Sequence, residues 1–504
     1  MKTPLLLLLT LASVPAAAQI GPDFKKPETV APRHYKAAPQ WREMRPLETL
    51  PRGAWWTVFK DKTLNQLLDS ATRHNQELKA AVARFDQARA AARIARSQFF
   101  PALGAGATAQ HQGTSANMPS AFPLNGVRYE GASFDVPLDL TYEIDLWGKV
   151  RRQFEGARAD AAAAAAAMQS VLLSLQADVA QNYFRLRAVD EEILTLREAV
   201  MWRGKALDIA TAKVKAGAGS ELEQAQSEAE LASARTELAG LQTQRDQLEN
   251  AIAVLSGTLA PEFHLQAREG SQGAPPEIPA GLPSDLLERR SDVAQAERRL
   301  ASANAQIGVA KAWFFPSIKL IGNGGFLSGE LSSLFVTESQ KWGIGPSVSL
   351  PLFSGGRGRA NLEAVRAAHD EALALYRQSV LTAFADVENQ LAALRNLSAQ
   401  FASQTKARAA AMDAVNFAMK RYEAGSSPYL EVIDASRSAL AAKRALDQIR
   451  GQRLIATVAL VKALGGGWNQ SLPVEIPASA PDPDATSATP AKPGLLKRMF
   501  GRRH

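Results

Sequence analysis

The sequence predicts a mainly α-helical chain with a membrane β portion, built from one module written twice. Three observations predict it. Four short motifs recur in the same order in both halves of the 504-residue chain. Each half holds a stretch in which apolar and polar residues alternate with period two, as a barrel strand with one face to lipid requires. Each half also holds a long helical stretch whose apolar residues recur at coiled-coil spacing.

The repeat fixes the frame. ARIARSQFFP at 92–101 answers IGVAKAWFFP at 307–316, and YEIDLWGKVR at 142–151 answers VSLPLFSGGR at 348–357. ADVAQ at 177–181 answers ADVEN at 385–389, and KVKAGAGSELE at 213–223 answers RYEAGSSPYLE at 421–431, both pairs at an offset of 208 residues.

Residues 1–18 read as an export signal: Lys2, an apolar stretch from Leu5 to Leu11, and the small residues Ala16, Ala17 and Ala18 before an expected start at Gln19. No later run offers about 18 consecutive apolar residues, so no transmembrane helix is expected. An extended segment fills 19–61. The first repeat spans 62–256: a helix over 62–98, a strand pair, a long helix over 148–215 and a returning helix over 222–256. A linker over 257–284 leads to the second repeat, 285–465, with helices at 285–313, 356–424 and 429–464. A low-complexity tail occupies 466–504. Its Pro/Ala/Ser-rich part and basic last eleven residues read as a solvated end.

The strands come next. Phe134, Val136, Leu138, Leu140 and Tyr142 alternate with Asp135, Pro137, Asp139 and Thr141. Trp342, Ile344, Pro346, Val348 and Leu350 do so with Lys341, Gly343, Gly345, Ser347 and Ser349. Partner strands are expected near 101–112 and 316–326, with loops at 113–126 and 328–340. A soluble half-buried hairpin has the same alternation. The aromatics at the strand ends, Phe99, Phe100, Trp147, Trp313, Phe314 and Phe315, favour a membrane-interface girdle.

In the first long helix the seam is Leu172, Leu175, Val179, Tyr183, Leu186, Val189, Ile193, Leu196 and Val200; in the second it is Val380, Phe384, Val387, Leu391 and Leu394. Each long helix stops at an Ala-Gly pair, and Gly217 and Gly425 mark the tips of two antiparallel helical hairpins.

Four strands cannot close a barrel, and lipid does not tolerate an open sheet edge. The chain must therefore assemble; two chains giving eight strands and three giving twelve both satisfy this argument. Catalysis is disfavoured. The chain has no cysteine, its six histidines are scattered, and no Walker or HExxH motif occurs. No cofactor or metal is expected. The net charge of +8 is spread among acids along helices, which argues against nucleic acid.

Gly21-Pro22-Asp23-Phe24 with Pro27, Trp55-Trp56, the FFP joints, YEIDLWGKVR, SLPLFSGGR and the RYEAG tip together resemble the outer-membrane factor (TolC-like) family, in the branch serving resistance-nodulation-division pumps. The resemblance covers about 20–465. It implies a homotrimer in the outer membrane of a Gram-negative bacterium, a shared twelve-stranded barrel in outer-membrane lipid, and an α-helical tunnel through the periplasm. It also implies docking of a periplasmic adaptor and an inner-membrane pump. Members often carry a lipidated cysteine where this chain has Ala18, so no lipid anchor is expected. The implied function is a passive exit duct for small toxic compounds. A type I protein-secretion duct shares the architecture, and a pore-less periplasmic coiled-coil scaffold is the alternative from another class.

The resemblance places a gate at the hairpin tips. Glu431 and Asp434 lie three apart on one helix face, and three-fold symmetry would gather six such carboxylates into a cation-favouring ring. Their first-repeat counterparts are Glu223 and Gln226. Tyr422, answered by Val214, sits where the family ties neighbouring helices shut, and Ser427 stands where some members carry an arginine. The same acids would also be stabilised simply by the positive end of the returning helix.

Overall fold

The computed structural model describes residues 19–28, 36, 54–113, 115, 130–268, 273–276, 278 and 289–466. The signal 1–18, the tail from 467, residues 116–126 of the first loop and parts of the N-terminal segment and linker lie outside the described residues.

Helices α1 (Lys62–His74) and α2 (Gln76–Ser97) stand where one helix was expected over 62–98. Asn75 divides them. Its side chain accepts from Leu78 N–H at 2.9 Å, capping α2, while its amide donates to the Leu255 carbonyl at 3.0 Å. A capping side chain held from both sides stabilises the break over continuation. Trp55, in a 3-10 turn before α1, is fully buried and donates through Nε1 to Gln176 at 3.2 Å.

Strands β1 (Ala102–Ala105), β2 (Thr108–Gly113) and β3 (Glu130–Ile144) precede the long helix α3 (Lys149–Lys215) and its return α4 (Glu221–Leu255). The second repeat gives α5 (Ser291–Ala312), β4 (Ser317–Ser328), β5 (Gln340–Ser349), α6 (Arg357–Glu423) and α7 (Tyr429–Ala463). At about 1.5 Å per residue α3 and α6 each run roughly 100 Å. Both begin at a glycine in the left-handed region, Gly148 at φ 79° and Gly356 at φ 86°.

The sheet is antiparallel. β1 and β2 share one register against β3, pairing Ala105 with Leu138 and Thr108 with Asp135, so they form a single strand interrupted opposite Pro137. Proline has no N–H to give the ladder. On its other side Pro137 faces Gly325, whose φ of 137° excludes a side chain; a Cβ there would lie 2.0 Å from the Val136 carbonyl oxygen. β3 pairs along its length with β4, and β4 with β5. The sheet of one chain is therefore four strands wide and open at β1/β2 and at β5.

Directly opposed residues share a face. One face collects Leu103, Phe134, Val136, Leu138, Leu140, Ile318, Leu320, Trp342, Ile344 and Val348; the other collects Gln110, Asp135, Asp139, Thr141, Lys319, Asn323, Lys341 and Ser347, with Ile321 and Leu327 as its apolar members. Trp342 is 84% exposed and Val348 65%. A continuous apolar band of this kind is stable in lipid, not in water. On the polar face, Lys341 and Asp135 form an ion pair at 2.6 Å.

The principal core lies where α1, α3, α5, α6 and α7 meet. Val179, Tyr183, Leu186, Val380, Val387, Leu391, Leu454 and Val458 are buried there, so the two apolar seams join one core. The alanine-rich part of α3 gives it a window apolar enough to cross a membrane by length and composition, although no such helix was expected. The reason is compositional: alanine counts as apolar, but here its small size lets α2 and α5 pack closely on α3.

Candidate gate at the hairpin tips

Both tips are built alike. Gly217 donates to the Val214 carbonyl and Ala218 to Lys213; Gly425 donates to Tyr422 and Ser426 to Arg421. The glycines hold φ of 71° and 70°. This paired 6→1 and 5→2 pattern ends a helix on a left-handed residue and satisfies its last carbonyls. Ser220 then caps α4, accepting from Leu222 N–H at 3.2 Å, while Pro428 starts α7 without a side-chain cap.

Each long helix ends with a base and each returning helix begins with an acid: Lys213 and Glu223 in the first repeat, Arg421 and Glu431 in the second, 208 residues on in both cases. In the second repeat they meet directly, Arg421 Nη1 to Glu431 Oε2 at 3.0 Å. In the first, Tyr422 of the other repeat stands between them. Its hydroxyl accepts from Lys213 Nζ at 2.7 Å and donates to Glu223 Oε1 at 2.5 Å. Lys213 also lies 4.8 Å from the Tyr422 ring centre, and Tyr429 packs on that ring at 5.2 Å. Val214, the counterpart of Tyr422, offers no hydroxyl, so the reach runs one way, from the second repeat to the first.

The electrostatics follow. Burial raises the Tyr422 hydroxyl above its ordinary range, and donation to Glu223 raises it further, against the opposing effect of Lys213. The Tyr422 hydroxyl in turn raises Lys213 by accepting a hydrogen bond from its ammonium. Burial also raises Tyr429.

Of the residues singled out from sequence, the structure brings Tyr422 and Glu223 together and leaves Glu431 and Asp434 apart from them. Glu431 pairs with Arg421, and Asp434 with Arg437 at 3.6 Å. Both carboxylates keep solvent exposure, yet each has an arginine beside it in its own chain, which offsets part of any ring of negative charge. Ser427 Oγ is buried without a hydrogen-bond partner.

Sequence reasoning missed the bases. Lys213, Arg421 and Arg437 carry the tip together with the acids. Arg437 Nε donates to buried Glu230 at 2.8 Å, and Arg203 pairs with the same carboxylate at 3.1 Å. The 208-residue offset that equates Glu223 with Glu431 also equates Lys213 with Arg421, and was the signal for two of them.

At the other end, the six strand-end aromatics gather at the helix–strand joints. Trp147 Nε1 donates to the Pro316 carbonyl at 2.8 Å and its ring tilts on Phe315 at 5.1 Å, tying one repeat to the other. Phe99 meets Phe154 edge-on, and Trp313 stacks beneath Arg357. Phe100 and Phe314 stay exposed.

The profile of the outer membrane efflux protein family matches residues 67–258 and 282–466. The toluene efflux pump outer membrane protein TtgC of Pseudomonas putida is 31% identical over 485 residues, covering 95% of this chain and 100% of the relative. Outer membrane protein OprJ of Pseudomonas aeruginosa is 33% identical over 472 residues, covering 92% and 95%. The solved outer-membrane channel OprN superposes with a TM-score of 0.82 at 31% identity, covering 89% of this chain and 99% of that one.

Proposed function

This chain belongs to the outer membrane efflux protein family, and from that premise we propose how its channel is closed and what it serves. It is an outer-membrane efflux channel and not an enzyme. Our reading is that three copies close a twelve-stranded barrel, each β5 pairing with the next copy's β1/β2, and that the helices continue as a tunnel into the periplasm. The open sheet edges and the lipid-compatible band support this assembly. The aromatics at the helix–strand joints would lie at the membrane interface.

In this reading the duct is passive and receives small toxic compounds from an inner-membrane pump through a periplasmic adaptor. TtgC, named for toluene efflux, supports small apolar compounds as the class. The observation that carries the gate is the Lys213–Tyr422–Glu223 bridge, which fastens the two hairpins to each other at their tips. A hydrogen bond to a charged group contributes about 1.5–3 kcal/mol when buried, and less, about 1 kcal/mol, at a partly solvated site such as this. Tyr422→Phe is expected to raise resting single-channel conductance in planar bilayers roughly fivefold. Unchanged currents from correctly assembled channels would remove the bridge from the gate.

A further inference from the structure

The tip bridge, carried by Tyr422 at the end of α6, is the lowest of a series of contacts between the two hairpins; those above it are made by α7. Above it, Glu230 takes Arg437, and seven residues higher Glu237 takes Arg444 at 2.6 Å. The acids are spaced by one heptad on α4 and the arginines by one heptad on α7, so they form successive rungs on facing helix stripes. One heptad further the series ends: the residues in register are Gln244 and Gly451.

Gly451 is buried within α7, where glycine costs about 0.5–1 kcal/mol relative to alanine. Its place is explained by Ala188 of α3: a Cβ on Gly451 would lie 2.6 Å from the Ala188 Cβ. The two helices reach this approach only because position 451 has no side chain.

The chemistry changes at that level. Above Gly451, Leu454, Val458 and Val461 share one apolar core with Val179, Tyr183 and Leu186. Below it, the first-repeat hairpin keeps its own apolar cluster of Val189, Ile193, Leu196 and Leu241, with Leu440 of α7 only at its margin. The side-chain links from there to α7 are polar: Thr195 to Asp447 at 3.3 Å, Gln448 to Glu192 at 3.0 Å and Lys443 to Glu198 at 2.8 Å, besides the rungs. Polar links can be exchanged for water at small net cost, whereas separating an apolar core cannot. A cavity of about 630 Å³ beside Gly451, lined by Ala188, Glu192, Gln244, Arg444 and Gln448, gives those side chains room to rearrange.

We propose that Gly451, seated on Ala188, is the pivot about which the tip-proximal part of α7 swings away from the first-repeat hairpin, releasing the polar rungs from the tip upward. The proposal rests on the reading of the tip as the gate. It makes Gly451 a positioning residue for opening, more than 25 residues from the turn at Gly425 (451 − 425 = 26).

The test is resting conductance of the full-length channel in planar bilayers. Gly451→Ala is expected to wedge the helices apart and raise conductance roughly tenfold, and adding Ala188→Gly in the same chain is expected to return it to the starting level. In Arg437→Gln, Arg444→Gln and Arg450→Gln the increase is expected to fall in that order, with none for Arg450, which pairs with Glu191 at the level of the pivot. If Gly451→Ala fails to assemble, this series decides alone. Equal increases along the series, or an assembled Gly451→Ala channel with unchanged conductance, overturn the pivot. If Tyr422→Phe opens the channel while these variants do not, the tip gate stands and the pivot falls. If Tyr422→Phe is silent, the gate reading fails and the pivot with it.

Discussion

The two hairpin tips share a turn, a glycine and a base–acid pair at equivalent positions, yet they do opposite things with that pair. In the second repeat Arg421 and Glu431 close on each other. In the first, Lys213 and Glu223 are held apart by the hydroxyl of Tyr422, which satisfies both. The tips differ at several positions, and tyrosine at 422 against valine at 214 is the difference that supplies the hydroxyl joining the repeats. Duplication supplied two copies of one device, and divergence made one of them a socket and the other a plug.

The largest expected effect comes from reversing the base at equivalent positions. Lys213→Glu would face Tyr422 with two carboxylates and remove its donor. At a partly solvated site this is worth about 1–2 kcal/mol, or roughly tenfold in resting conductance. Arg421→Glu touches only an exposed pair, worth at most about 1 kcal/mol, and is expected to change conductance by less than fivefold. Equal effects from the two substitutions would break the distinction between the tips.

The next effect concerns charge. Glu431→Ala with Asp434→Ala leaves Arg421 and Arg437 without these carboxylates, so reversal potentials under a salt gradient should shift away from cation preference, and resting conductance should rise. Because both acids are already paired, the shift should be larger at low ionic strength, where exposed charges are less screened. A selectivity unaffected by the double substitution would remove these acids from the pore axis.

Alkaline pH sharpens the comparison further. The Tyr422 hydroxyl and the Lys213 ammonium are both raised above their ordinary values. Their contribution is therefore fully present below those ordinary values and lost as pH rises through the raised ones. Wild-type channels should stay closed through the ordinary tyrosine range, near pH 10, and open beyond it, whereas Tyr422→Phe should lack that step. The smallest effect lies higher on α3. Burial raises Glu192, so its contribution is present at acidic pH and lost as pH rises through its raised value. Glu192→Gln should slightly raise heat resistance of the assembled channel at neutral pH and make no difference below the ordinary glutamate range.

Much of the fold was legible because period two and the heptad are local signals. The alternation at 134–142 and 341–350 set which residues share a face before any register was known, and Gly217 and Gly425 marked the helix stops. The break at Asn75 was hidden, because its local cap on Leu78 is held in place by the Leu255 carbonyl 180 residues away. The site divided in the same manner. Tyr422 and Glu223 were found through motif resemblance and the repeat. Arg437 and Glu230 were not, since nothing local distinguishes a buried acid with two arginine partners from the many solvated charges of the same helices.

The pairing of β3 with β4 carries a consequence for how this chain is made. Ile144 lies opposite Ile318, 174 residues away (318 − 144). The β4–β5 hairpin can zip locally, but the ladder that joins the two repeats cannot begin until nearly two-thirds of the polypeptide has been delivered. Contacts between residues so distant in sequence form slowly, because chain closure precedes the reward of contact. During that interval the strands present unpaired edges and an apolar band to water, so this chain's vulnerability to aggregation is greatest in transit, before it reaches lipid.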